Sequence, residues 1–69
     1  MSKEMSFAIF CLESYKAHKS LSGKQAIDLF LQFGVFDYLT QFYDVLHTTG
    51  YQYINQDIDI YLKAQNVAG

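Results

Sequence analysis

Val35-Phe36-Asp37-Tyr38-Leu39-Thr40-Gln41-Phe42-Tyr43-Asp44-Val45-Leu46-His47-Thr48 is the stretch that decides the fold class. Its apolar residues recur at intervals of three and four, the period of an α-helix rather than the alternation of a strand. Val35, Phe36, Tyr38, Leu39, Phe42, Tyr43, Val45 and Leu46 cover most of the circumference, leaving Asp37, Gln41, Asp44 and Thr48 as a narrow polar stripe. A helix with so little polar surface belongs in the middle of a domain. The spacing predicts a central helix from about Phe36 to His47, kinked or split near Tyr43 and broken by Thr48-Thr49-Gly50.

Upstream of this stretch the punctuation is equally helical. Ser22-Gly23-Lys24-Gln25 reads as a capping box, with Leu21 and Ala26 placed as a hydrophobic staple. The helix it opens runs to Phe33, burying Ala26, Ile27, Phe30 and Phe33, and Gly34 closes it in the left-handed conformation that glycine adopts cheaply. Val35 then folds back on Phe30. The first helix is expected from about Lys3 to Lys19, with one apolar stripe of Met5, Ala8, Ile9, Leu12 and Tyr15. A second stripe, Phe7, Phe10, Cys11 and Ser14, lies on roughly the opposite side. A small domain cannot easily bury both. Phe7 and Phe10 are expected inward, with Ile9 and Leu12 nearer a partner. Downstream, Ile54, Ile58, Tyr61 and Leu62 predict a last helix from about Tyr53 to Gln65, while Tyr51-Gln52-Tyr53 alternates like a strand and leaves Tyr51 and Gln52 open. The expectation is an all-α fold, a compact bundle of four or five short helices in one domain spanning residues 1–69.

Length and composition fit that picture. The 69 residues are 51% hydrophobic and 17% charged, which excludes a disordered chain. Six Phe and six Tyr are a large aromatic load for a size class that hides only about 60% of its unfolded surface. The surplus is expected to sit against another chain or to pack densely within. A single cysteine rules out a disulfide scaffold and suits a reducing cytoplasm. The longest apolar run, Phe7 to Leu12, is far short of the roughly 20 residues that span a bilayer, and Glu4 interrupts any signal-like start. No membrane association is expected.

All five basic residues are lysines. Arginine, the usual reader of guanine edges and phosphates, is missing, so no nucleic acid is expected as partner. Residues 1–24 carry four lysines against Glu4 and Glu13, and residues 25–69 carry Lys63 against five aspartates. Such asymmetry orients a protein partner during encounter, although ordinary solvated charge gives the same pattern.

The residues with chemical potential are few. Cys11 lies inside an apolar run with no base nearby and reads as a small buried hydrophobe rather than a nucleophile. His18 is placed to meet the carbonyl end of the first helix. His47 has Tyr43 and Asp44 one turn back, the pairing of the second half of a catalytic triad, yet no nucleophile completes it. Tyr43, Asp44, His47 and Thr48 read as a structural polar cluster closing the helix before Gly50. Two histidines and a lone cysteine make no metal set, and no phosphate-binding glycine loop is present, so no metal or cofactor is expected. Asp57 is expected to accept from Tyr53 or Tyr61, and Asp59 to face solvent.

The set Phe7-x-x-Phe10-Cys11-x-Glu13-x-Tyr15, Leu21-Ser22-Gly23-Lys24, Gly34-Val35-Phe36-Asp37-Tyr38-Leu39, Tyr43-Asp44-Val45-Leu46-His47-Thr48 and Asp57-Ile58 resembles one family across nearly the whole chain. It is the short bacterial domain of unknown function numbered three-seven-nine-one, and the Tyr-Asp-Val-Leu-His-Thr block is the most specific part. The resemblance implies a stand-alone cytoplasmic protein of gut and oral bacteria, often encoded beside an ADP-ribosyltransferase-like protein, as an antitoxin is beside its toxin. It implies no catalytic residue.

The expected function is therefore a non-enzymatic protein-binding module with Ile9, Leu12, Tyr51 and Tyr53 as exposed anchors. A homodimer using the same face is the close variant. A DNA-binding helical module and a minimal enzyme centred on His47 and Asp44 are the rivals from other classes.

Overall fold

The computed structural model describes residues 2–66, which form five helices and, among the described residues, no strand. Helix α1 is Lys3–Lys19, α2 Gly23–Gln32, α3 Val35–Gln41, α4 Tyr43–Leu46 and α5 Tyr51–Asn66. The all-α bundle expected from periodicity is what the chain adopts.

Local chemistry sets most of the ends. The Ser2 hydroxyl accepts the Met5 N–H and caps α1. At its other end Ser20 takes the left-handed conformation, φ 57°, and the Leu21 N–H reaches the Lys16 carbonyl. Lys16, His18 and Lys19 occupy that last turn, favourable against the negative end of the helix dipole. The capping box is complete: Ser22 Oγ accepts from the Gln25 N–H at 3.1 Å and Gln25 Oε1 accepts from the Ser22 N–H at 2.9 Å. Gly34, φ 67°, turns the chain between α2 and α3. The break expected near Tyr43 falls at Phe42, whose φ of −104° and ψ of 24° end α3 and begin α4.

Helix α5 starts two residues earlier than the sequence predicts. The Gly50 carbonyl accepts from both the Tyr53 and Ile54 N–H groups, so Tyr51 and Gln52 are drawn into the first turn. Their strand-like alternation is overridden by that turn and by packing.

Helix α1 lies in the middle, packed on α2, α3 and α5, and α2 also packs on α3. The core draws Phe7, Ala8, Cys11, Leu12 and Tyr15 from α1, Ala26 and Phe30 from α2, Val35 and Leu39 from α3, Leu46 from α4, and Ile54 and Ile58 from α5. Phe30 is its hub: the Tyr15 ring approaches it at 5.7 Å and the Phe36 ring meets it edge-on at 5.4 Å. The expected central position of the Phe36–His47 stretch holds for α3 but not for its far end, where Phe42 and Val45 are exposed. Ile27 is likewise exposed rather than buried, because the core side of α2 is filled by Ala26 and Phe30.

Three polar contacts fasten α5. Its Asn55, almost fully buried, donates from Nδ2 to Ser14 Oγ at 3.2 Å. Tyr61 donates its hydroxyl to the Phe33 carbonyl at the end of α2. Asp59 accepts from the Tyr15 hydroxyl at 2.6 Å and from the Lys19 ammonium at 3.0 Å. Neither aspartate takes its expected role. Asp59 faces α1 rather than solvent, and Asp57 accepts from neither Tyr53 nor Tyr61, since Tyr61 is engaged by a backbone carbonyl.

Candidate protein-docking face

The core residues of α1 occupy one side of the helix, and helical spacing puts Ser6, Ile9, Phe10 and Glu13 on the other. These four line a shallow hollow of about 250 Å³. Phe10 is 64% exposed and Ile9 39%. Across the gap between helices the Tyr51 ring, at the start of α5, lies 6.5 Å from the Phe10 ring and is itself half exposed. Glu13 is held at one end by Lys16 at 3.4 Å. The result is an apolar and aromatic surface with polar ends, left partly open to solvent.

The four expected anchors divide. Ile9 and Tyr51 are exposed and belong to this face. Leu12 does not: it is buried, 7% exposed, and this is a correction to its reading as an anchor. Phe10, expected inward, takes the outward place instead. The physical reason is the angle between stripes. Phe7, Cys11 and Tyr15 centre the buried side, Leu12 lies within it, and Phe10 lies well outside. Both stripes begin with apolar residues, so only the positions of α3 and α5 decide which is covered. Tyr53 is exposed but sits about 200° round α5 from Tyr51, on the side away from the buried Ile54 and Ile58. It does not share the face.

The polar cluster is assembled differently from the expectation. His47 stacks on the Tyr43 ring at 4.4 Å with an interplanar angle of 8°. Its Nδ1 donates to the Tyr43 carbonyl at 2.7 Å, which fixes the proton on that nitrogen. Lys3 lies over the same Tyr43 ring, 5.7 Å from its centre, and Phe7 meets it edge-on at 5.4 Å. Thr48 Oγ1 donates to the Val45 carbonyl. Asp44 makes no ion pair with His47, so the expected Asp–His couple is not formed. A helix of only four residues, followed by a turn, points the imidazole back at its own backbone. His47 and Thr48 thereby bond the carbonyls at the end of α4.

Burial pushes the Cys11 thiol up to about 12, consistent with a packed hydrophobe and not with a nucleophile. Burial, followed by the hydrogen bond to Asp59, also raises the Tyr15 hydroxyl above its ordinary value. For Asp59, burial works upward, but the Tyr15 hydroxyl and the charges of Lys19 and Lys63 outweigh it and hold the carboxyl low. A second hollow of about 160 Å³ beside Asp59 is lined by Leu29, Phe33, Leu62 and Lys63. Among the described residues, no group of three or more His, Cys, Asp or Glu side chains is placed to hold a metal ion, and no helix is long and apolar enough to cross a membrane.

The profile of the family described as "Protein of unknown function (DUF3791)" matches residues 6–65. The chain belongs to the DUF3791 family. The match takes in the whole of this exposed apolar surface and the whole polar cluster of this DUF3791 chain, from Ser6 to Thr48 and Tyr51. No curated protein and no solved structure matches it.

Proposed function

We propose that this DUF3791 chain is a non-enzymatic protein-binding module that receives a helix of its partner on the outward face of α1. The observation that carries this reading is the hollow of Ser6, Ile9, Phe10 and Glu13, with Phe10 and Tyr51 exposed at its edge. Exposed aromatic rings beside an apolar hollow are the usual anchors of a protein interface, since they bring large area with little rotamer entropy to lose. The absence of arginine argues against DNA as the ligand. His47, tied to a backbone carbonyl and unpaired with Asp44, together with the buried thiol of Cys11, argues against a minimal hydrolytic centre.

The partner we assign is the ADP-ribosyltransferase-like protein that the family resemblance associates with such chains, with this chain acting in the cytoplasm as its antitoxin-like neutraliser. Co-expression tests it. The wild-type chain is expected to co-purify with that protein and relieve its growth arrest. Phe10→Glu is expected to abolish both while helicity and melting temperature stay at wild-type values. Retention of the complex by Phe10→Glu, or no complex with the wild type, rejects the reading.

A further inference from the structure

We propose that, when no other partner is bound, the outward face of α1 packs against the same face of a second copy, with the two α1 helices antiparallel. The inference rests on the reading of this face as a docking surface and names its occupant in the free protein.

Ser6, Ile9, Phe10 and Glu13 stand at i, i+3, i+4 and i+7. That is the four-residue diamond which, in helix–helix packing, receives one side chain from the facing helix. Its volume of about 250 Å³ accommodates a phenyl ring. Phe10, one wall of the diamond, is also the most exposed ring of the face, at 64%. Hole and knob are thus on one surface, as an interface built on a two-fold axis requires.

The area agrees. Ile9, Phe10 and Tyr51 are 39%, 64% and 47% exposed, which supplies part of the apolar centre of a standard interface of about 800 Å² per partner.

The charges choose the direction. In a parallel pair, equal residues meet at equal height and Glu13 confronts Glu13. In an antiparallel pair centred between Ile9 and Phe10, Ile9 of one copy faces Phe10 of the other. Ser6 then faces Glu13, where its hydroxyl donates to the carboxylate, and the small Ala17 faces Ser2. Glu13 keeps its exposed partner Lys16 at 3.4 Å, and Lys16 meets Lys3 of the facing copy only at the solvated edge of the pair.

Sedimentation equilibrium of the full chain from about 1 μM to about 1 mM tests the pairing. The wild type is expected to reach twice the chain mass. Phe10→Glu is expected to weaken self-association by at least about 30-fold, and Leu31→Glu, on the exposed side of α2, to leave it unchanged. Should Phe10→Glu fail to fold, Ile9→Lys takes its place with the same expectation. Direction is read by mixing Ser6→Cys and Glu13→Cys chains under mild oxidation. A disulfide between the two variants is expected to predominate over self-linked Ser6→Cys, and the buried Cys11 does not compete. A wild type that stays monomeric at about 1 mM overturns the proposal, as does dissociation by Leu31→Glu but not Phe10→Glu, or predominance of self-linked Ser6→Cys. A monomer that still captures the ADP-ribosyltransferase-like protein through Phe10 overturns this inference alone. A dimer whose capture of that protein ignores Phe10 supports this inference and removes the proposed heterologous docking.

Discussion

Replacing Tyr15 by Phe removes one oxygen atom from the joint between α1 and α5. Tyr15 is 3% exposed, and its hydroxyl donates to Asp59 at 2.6 Å, a short hydrogen bond to a charged acceptor. The phenyl ring keeps its packing against Phe30, so the change is chemical and not volumetric. Hydrogen bonds to charged groups contribute roughly 1.5–3 kcal/mol, and the partial exposure of Asp59 and its second partner Lys19 place this one at the lower end, about 1.5 kcal/mol. For a domain of this size that corresponds to a fall in melting temperature of about 6–12 °C. The loss has a pH signature. Asp59 is held below its unfolded value, so its contribution to stability is complete above the ordinary carboxylate range and disappears as pH falls through the lowered folded value. The gap between wild type and Tyr15→Phe is therefore expected to be widest near neutrality and to close on acidification. Urea unfolding at a series of pH values measures it. A neutral-pH difference under about 0.3 kcal/mol, or one that persists undiminished in acid, refutes the argument.

Ser20 is the one described residue other than glycine with positive φ, and Ser20→Gly is expected to raise stability by about 1 kcal/mol in thermal unfolding, because a left-handed conformation costs a residue with a Cβ roughly that much. Cys11, buried and with its thiol pushed up to about 12, is expected to resist thiol-labelling reagents at neutral pH until urea unfolds the chain, at a rate tracking global unfolding. His47→Ala is expected to cost only about 1 kcal/mol, since the imidazole is exposed and shares a carbonyl already satisfied by its own backbone N–H; a loss above about 3 kcal/mol in the same assay rejects that account. Leu39→Ala, which empties a fully buried site under α1, is expected to cost about 2–5 kcal/mol.

The candidate site was only half legible in the sequence. The surplus of rings signals that some apolar surface must remain outside, but the spacing of Ile9, which shares a stripe with the buried Leu12, and of Tyr51, which shares one with the buried Ile54 and Ile58, does not reveal their exposure. Phe10 and Leu12 exchanged places relative to expectation because α1 is apolar on both sides and a periodic pattern cannot say which side is covered. Asp59 was missed for a related reason. Its partner Tyr15 lies 44 residues away, and no local spacing links them.

What the sequence determined by itself is the helical secondary structure and the boundaries that local caps and breaks set. The hydroxyls of Ser2 and Ser22, the reciprocal Gln25 side chain, Gly34 and the Thr48-Thr49-Gly50 break act within four residues of where they stand, so their effects follow from the chain order alone. What only the tertiary structure decided is orientation: Leu12 inward, Phe10 outward, Asp59 rather than Asp57 on a phenol, and Tyr51 drawn into a helix beside Phe10. Those choices depend on which helices meet, and that is fixed by packing the whole core at once rather than by any one turn of it.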